Sequence, residues 1–455
     1  MDLKPLFEPK SLAVVGVSLH NDLHPSNLIF YKNLYRYPVK AYPVNPRAGV
    51  LKGVSAYASV RDLPEVVDLA IISARADVVP GILRDCIDAG VKGAAIISGG
   101  FAEVGNTELQ EEIVSMARQA DFPFIGPNCL GIYSPLYYDS FFFAPERISV
   151  PRAGNVAIIS QSGGLLMDQM IGFSVEGVGL SLAVSIGNKA VLGETDLLDY
   201  LENDEKTRVI CLYIEGFKQD EGREFLFRAK KCTKPVVVLK AGKSPGGSKA
   251  VSSHTASLAG DYTVFSALLS QNGIVEARNP SELMFFCESL SAYQKPIEGR
   301  VSIITLSGGH GALAADLCHE YGLVVPSFTG PEQEMIRRRL KPSISSIATC
   351  ANPVDLTGTS TDDDYVEAAR VIGSFEEIEC FIMLLLPYAP GLSSDLGARL
   401  SVVSKQAGKP MIAYLPRLER YRMLIEGFEI NGVPVAHTIE GAVQMALALA
   451  KYRKF

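Results

Sequence analysis

Short runs of apolar, mostly β-branched residues alternate along the chain with longer stretches whose apolar positions fall three and four apart. "SLAVVGVS", "KAYPVNP", "LAIISA", "GAAIISGG" and "FPFIGPN" read as the five strands of a first unit. "ADVVPGILRDCIDAG" and "TELQEEIVSMARQAD" read as amphipathic helices between them. Strands that are apolar throughout are buried on both faces, so the pattern predicts a parallel sheet with helices on each side.

The same alternation begins again twice. A second unit opens at "NVAIISQSGGLLMDQM" and runs through "LSLAVSIGN", "RVICLYIEGF" and "PVVVLKAG". A third opens at "GRVSIITLSGGHGALAADLCHEYG" and continues through "ECFIMLLLPYA" and "KPMIAYLP". The stretch "YSPLYYDSFFFAPERISVPRAGN" has no clean period and holds three prolines, which predicts a boundary near residue 150. Three α/β domains are expected, over 1–150, 151–295 and 296–455. A length of 455 residues agrees with that count at a prior of roughly 150 residues per domain.

Composition narrows the class. With 47% hydrophobic and 20% charged residues the chain reads as an ordinary soluble globular protein. Its net charge of −7 argues against general affinity for nucleic acid. The strongest apolar run, residues 380–386, is strand-sized and far short of the ~20 residues of a membrane span. The opening "MDLKPLFEPKSLAVVG" is too acidic and too short in apolar core for a signal peptide, so a cytoplasmic protein without membrane attachment is expected. None of the eight cysteines forms a C-x-x-C pair; they read as buried reduced thiols, and no metal site is expected.

Candidate chemistry concentrates in the turns. Glycine after a parallel strand allows a tight turn and exposes N–H groups at the next helix's N-terminus, where anions bind. "IISQSGGLL" offers Ser160, Ser162, Gly163 and Gly164, with two hydroxyls able to donate to an oxyanion. "ITLSGGHGA" offers Gly308, Gly309, His310 and Gly311, the last allowing close backbone approach to a ligand. "AVVGVSLHND" is a partial dinucleotide fingerprint: Gly16 and Ser18 are present, but no third glycine. The second strand ends in Asn45, Pro46 and Arg47 instead of the acidic residue that holds a nicotinamide cofactor's ribose. A cation there suits an adenosine bearing an extra phosphate, as in coenzyme A or NADP. "LKAGKSPGG" is not a P-loop, because Val237 stands where the first glycine belongs.

His254 lies in "SPGGSKAVSSHTASLAG", among small residues, and is placed on a flexible loop just ahead of a helix or in that helix's first turn. Ser252, Ser253 and Thr255 beside it are capping and phosphate-binding groups. Imidazole can act as nucleophile or base near neutral pH, while an exposed loop histidine is the plain alternative. Glu215 follows a strand directly, at the edge where α/β sheets put their ligands, and could orient an imidazole or simply be solvated. His20, His24, His319 and His437 read as surface or structural residues.

Taken together and in order, "AVVGVS", "GPNCLGI", "IISQSGGL", "YIEGF", "KPVVVLKAGKSPGGSKAVSSHTASLAG", "SGGHGALAAD" and "NPVDLTG" resemble the α subunit of ADP-forming acetyl-CoA synthetases. These belong to the nucleoside-diphosphate-forming acyl-CoA synthetase superfamily, with succinyl-CoA synthetase. The resemblance implies a Rossmann-like CoA-binding domain followed by two flavodoxin-like ligase domains. It implies conversion of acyl-CoA, phosphate and ADP to acid, ATP and CoA, through an acyl phosphate and a phosphohistidine at His254 oriented by Glu215. Phosphate would rest between the helix N-termini at residues 160–164 and 308–311. CoA would lie against Gly16, Ser18, Asn45, Arg47, Ser73, Gly100 and Asn128. No segment resembles an ATP-grasp domain, so ADP, ATP and Mg²⁺ are expected mainly on a separate β subunit, in an α₂β₂ assembly. A CoA-binding regulatory module without catalysis and an NAD(P)-binding oxidoreductase are the competing readings.

Overall fold

The computed structural model describes residues 1–218, 220–254 and 261–452, with the backbone alone described for 252–254. Two compact units emerge, Met1–Glu276 and Ala277–Phe455.

Among the described residues the first unit contains two large sheets and a two-stranded one, Gly49–Leu51 with Val54–Ala56. In the first, the five runs expected as strands form Ser11–Val15, Lys40–Val44, Leu69–Ile72, Gly93–Ile96 and Phe124–Ile125, all paired in parallel. Ser11–Val15 lies between Lys40–Val44 and Leu69–Ile72. Successive residues of a strand face opposite sides, and both sides are apolar. Leu12, Val14, Leu69 and Ile71 enter one core, while Ala13, Val15, Ala70 and Ile72 enter another.

The second sheet runs Val236–Lys240, Val209–Ile214, Ala153–Ser160, Leu180–Ser185 through its centre. Two antiparallel strands, Gly131–Ser134 and Tyr138–Asp139, extend it beyond Leu180–Ser185. They fall at and just before the start of the aperiodic stretch, so the second sheet takes its edge from residues expected in the first domain. The core under Leu12 and Ile71 continues through Ile132 and Tyr138 to Ile159, Leu182 and Ile210. A shared core of this kind gives one compact unit where sequence periodicity shows two alternations.

The second unit is one all-parallel sheet, ordered Val354–Asp355, Val301–Thr305, Cys380–Leu384, Met411–Tyr414, Val435–Ala436. It starts at residue 277, earlier than the expected 296, because the helix Pro280–Ala292 packs on the C-terminal helix Ile439–Lys451. Ser289 Oγ donates to the Met445 carbonyl at 2.8 Å. A Cβ on Gly441 would stand 2.6 Å from the Phe285 ring, so glycine sets how closely these helices approach.

In each of the three larger sheets the first parallel strand lies between the second and third. The chain therefore reverses direction across each sheet after its first strand, and at such switch points a crevice opens at the carboxyl ends of the strands. No described helix is long and apolar enough to cross a membrane.

Candidate functional site

The first switch point gathers five of the expected CoA residues. Gly16 has φ +101°, and its N–H donates to the Val44 carbonyl at 3.0 Å. Asn45 Nδ2 donates to the Val17 carbonyl at 2.6 Å, and Asn45 Oδ1 accepts from the Arg47 N–H at 3.0 Å. Ser73 follows the neighbouring strand, its N–H bonded to the Val15 carbonyl at 3.0 Å. Ser18 Oγ accepts the N–H groups of His20 and Asn21, closing its own loop, while the Ser18 N–H is held by Asn27 Oδ1 at 2.8 Å. The Arg47 side chain is exposed. His24 caps the helix Pro25–Arg36 by accepting the Ser26 N–H, a structural task in keeping with its reading from sequence.

Gly100 and Asn128 stand farther along the same sheet edge. Gly100 has φ +105°, and its N–H meets Glu103 Oε1. Burial acts to raise the Glu103 carboxyl. Hydrogen bonds from the Asn188 amide and the Gly100 and Phe101 N–H groups outweigh it and hold the group below its ordinary value. Asn128 Nδ2 reaches Asn188 Oδ1 at 3.3 Å, which links the first sheet's loops to those of the second.

At the second switch point, Ser162 caps the helix Gly163–Val175, its side chain accepting the Leu165 N–H. Ser160 corrects an expectation. It is fully buried, its hydroxyl donates to the Ser162 carbonyl at 2.8 Å and accepts the Ser162 N–H at 3.2 Å. That hydroxyl shapes the turn and is not turned toward an oxyanion. Ser162 is half-buried, a Cβ on Gly163 would stand 2.9 Å from the Leu130 side chain and one on Gly164 would meet nothing within 4 Å, so the N-terminal turn of the helix is open at Gly164.

Glu215, buried, follows the adjacent strand Val209–Ile214. Burial, and then the charge and hydrogen bonding of Glu215, push the Tyr213 phenol upward. Lys240 Nζ donates to the Glu215 carbonyl at 2.7 Å, and burial pulls that ammonium below its ordinary value despite the nearby carboxylate. Gln161, between Ser160 and Ser162, bonds the two turns together. Its carbonyl oxygen accepts the N–H of Glu215 at 2.6 Å and of Gly216 at 3.0 Å, and its amide donates to the Gly216 carbonyl at 2.8 Å and to Glu194.

Lys189 completes this cluster. Its ammonium lies 3.1 Å from Glu194 Oε2, 2.9 Å from Glu221 Oε2 and 3.1 Å from the Gly216 carbonyl. Burial acts to raise Glu221, but the bonds from Lys189 and from the Lys218 N–H prevail and hold it below its ordinary value. Gln161, Lys189 and Glu194 are only 7%, 6% and 2% exposed, so these bonds form within the protein, away from bulk water. Sequence reasoning missed all three. Lys189 stands four residues past the strand Leu180–Ser185, where Glu215 follows its own strand directly, so position gave no signal for it.

A cleft of about 390 Å³ opens over this region. Glu103, Asn128 and Leu130 line it from the first sheet's side, and Gln161, Ser162, Gly163, Gly164, Lys189 and Lys218 from the second's. Burial lowers the Lys218 ammonium from its ordinary value.

The second unit repeats the turn. Thr305 Oγ1 accepts the Ser307 N–H at 3.1 Å and donates to the Ser307 carbonyl, as Ser160 does for Ser162. The helix Gly308–Glu320 follows, with Gly308 and Gly309 exposed and His310 Nδ1 3.1 Å from Ser307 Oγ. Gly311 departs from expectation. It is buried, and a Cβ there would stand 3.2 Å from Pro353 and 3.3 Å from Thr305, so its small size serves helix-on-strand packing and not ligand approach.

The backbone corrects the setting of His254. The helix Pro245–His254 carries it to the limit of the described residues, so Ser252 and Ser253 lie well inside a helix and not at its start. Thr255 lies outside the described residues. Seven of the eight cysteines are buried, and burial pushes Cys86 and Cys129 up to about 12, keeping both as thiols.

Residues 10–135 match the family pattern of a CoA binding domain, and residues 153–290 that of a succinyl-CoA ligase like flavodoxin domain. With the Ser162–Gly164 turn of the second at the cleft lined by the first, the two matched domains give the layout of a CoA ligase of the α/β, doubly wound class. The acetate–CoA ligase [ADP-forming] I of Archaeoglobus fulgidus is 38% identical over 89% of the chain, which spans 58% of that relative's length. The acetate–CoA ligase [ADP-forming] II subunit alpha of Pyrococcus furiosus is 36% identical, over 98% of this chain and 97% of its own. The chain belongs to the ADP-forming acetate–CoA ligase family. A Ca. Korarchaeum cryptofilum acetyl-coenzyme A synthetase 1, solved in complex with phosphate and ADP, superposes with a TM-score of 0.88 at 32% identity, covering 99% of this chain and 97% of that one. The regulatory and oxidoreductase readings find no support among these relatives.

Proposed function

We propose that the chain is the α subunit of an ADP-forming acyl-CoA synthetase acting on acetyl-CoA or a similarly small acyl-CoA. One observation carries it: the open helix N-terminus at Ser162, Gly163 and Gly164 and the loop residue Asn128 line one cleft. A thioester held by the first domain and a phosphate held by the helix would meet there.

In the first step a phosphate oxygen attacks the thioester carbonyl. The C–S bond breaks, CoA leaves as thiolate and takes up a proton, and acyl phosphate remains. Negative charge grows on the carbonyl oxygen and the phosphate, where N–H groups fixed at a helix N-terminus stabilise it without reorganising. In the second step an imidazole nitrogen of His254 attacks phosphorus and the carboxylate departs. Glu215 accepts the other ring N–H and supports the positive charge on the ring. In the third step the phosphohistidine donates to a terminal oxygen of ADP. CoA contacts are assigned to Gly16, Ser18, Asn45, Arg47, Ser73, Gly100 and Asn128, and phosphate contacts to Ser162, Gly163 and Gly164. ADP and Mg²⁺ are assigned to an ATP-grasp β subunit in an α₂β₂ assembly, a partner in keeping with the "subunit alpha" of the Pyrococcus relative's name.

Turnover tests the reading. The chain purified with its partner and given acetyl-CoA, ADP and phosphate is expected to release acetate, CoA and ATP in equal amounts. A complex that forms no ATP from acetyl-CoA or any other short-chain acyl-CoA contradicts it.

A further inference from the structure

We propose that Gln161 is a positioning residue, whose carboxamide holds the Glu215 carboxylate in register with the anion-binding turn. The inference rests on the reading of Glu215 as the carboxylate that orients His254. Neighbouring parallel strands bring the two turns near each other, since Ala153–Ser160 pairs with Val209–Ile214. Strand pairing ends at Ser160 and Tyr213, before either turn begins. Beyond that point the turns need another tie, and Gln161 supplies it.

The carboxamide has two donor hydrogens and an acceptor oxygen with two lone pairs, and all four capacities are used. The oxygen takes the N–H groups of Glu215 and Gly216, and the nitrogen gives to the Gly216 carbonyl and to Glu194. Two backbone N–H groups facing one atom fix that atom as oxygen, which settles the orientation of the amide. Behind it, Lys189 bonds both Glu194 and the Gly216 carbonyl, so the far end of the tie is itself anchored. Gln161 also lines the cleft beside Ser162, Gly163 and Gly164. A displacement of the helix N-terminus is thereby passed to the backbone that carries Glu215. With all four hydrogen-bonding capacities taken up within the protein, Gln161 acts through Glu215.

Gln161→Met keeps the length and removes every polar partner. With Glu215 off its position by ~1 Å, transfer to the histidine is expected to slow about 100-fold. The test uses the full-length protein with its partner subunit and ³²P-labelled acetyl phosphate. It follows acid-labile, base-stable label on the chain in wild type, Gln161→Met, Glu215→Gln and the double variant. Gln161→Met and Glu215→Gln are each expected to be slow, with KM for acetyl phosphate near the wild-type value, and the double variant no slower than Glu215→Gln. Slow Glu215→Gln beside a wild-type rate in Gln161→Met overturns the positioning role alone. Multiplying effects in the double variant do the same, since they mean that Gln161 acts independently. A wild-type rate in Glu215→Gln overturns the reading of Glu215 and the proposal with it.

Should Gln161→Met fail to fold, Gln161→Glu replaces it. A carboxylate can accept both N–H groups but donates to Glu194 and Gly216 only when protonated. Its rate relative to wild type is therefore expected to rise as pH falls, and a ratio independent of pH overturns the proposal.

Discussion

Gly16 lies against Ser73 so closely that a Cβ on Gly16 would stand 2.0 Å from the Ser73 carbonyl oxygen. The obstacle is backbone, with no flexible end to move aside, and φ at Gly16 is +101°. Gly16→Ala must then part the ends of two paired strands or distort the turn between them. Loss of stability of about 2–4 kcal/mol is expected in urea unfolding, together with loss of CoA binding in calorimetry. Wild-type stability and CoA affinity in Gly16→Ala would mean that the turn relaxes freely.

Lys189 is the common partner of two carboxylates. Lys189→Met leaves Glu194 buried beside the Gln161 amide with its cation removed. Breaking a buried pair from one side costs about 3–5 kcal/mol, and a loss of that order is expected in chemical denaturation. Lys189→Met combined with Glu194→Gln should recover part of it, because no uncompensated charge then remains. A double variant no more stable than the single one contradicts this account of the cluster.

Glu221 gives the cluster a pH dependence. Its folded-state pKa is depressed below the ordinary 4.5, chiefly through Lys189 acting against burial. A depressed carboxyl contributes stability that is present above the ordinary pKa and lost as pH falls through the folded one. Glu221→Gln should accordingly be less stable than wild type at pH 7, with the gap closing as pH falls below 4.5 and through the depressed folded-state pKa. Urea midpoints measured from pH 7 to pH 3 check the sign, and a gap that widens toward acid contradicts it.

Ser160 and Ser162 are expected to separate by phenotype. Ser160→Ala removes the acceptor of the part-buried Ser162 N–H and should cost about 1–2 kcal/mol of stability. Ser162→Ala removes a cap at the open end of the helix, and should raise KM for phosphate with a smaller effect on stability. Thermal melts and initial rates over a phosphate series distinguish the two. The reverse pattern would restore Ser160 as an anion ligand.

Strands were the most legible feature of the sequence, because burial on both sheet faces leaves continuous apolar runs, as at residues 69–72 and 380–384. The turns were legible as places, through glycine and serine, but their hydroxyls were not. Ser160 and Ser162 are alike in sequence, yet the last strand position turns one inward and the cap position leaves the other at the cleft. Gly311 was misread for a related reason: glycine marks close approach, and only coordinates show that Pro353 and Thr305 are what approaches. Gln161, Lys189 and Glu194 were invisible because their partners come from separate strand ends, so no spacing along the chain records them. Strands 131–134 and 138–139 were hidden because they are short and sit on a sheet edge, with too few residues to establish a period.

The central claim is that His254 carries the phosphoryl group, and labelling tests it most directly. The chain with its partner is incubated with acetyl-CoA and ³²P-phosphate in the absence of ADP, and wild type is compared with His254→Asn. Acid-labile, base-stable label is expected on the wild-type chain, at one peptide containing residue 254, discharged to ATP on addition of ADP. His254→Asn is expected to carry none. Label of the same chemistry on the His254→Asn chain would contradict the account.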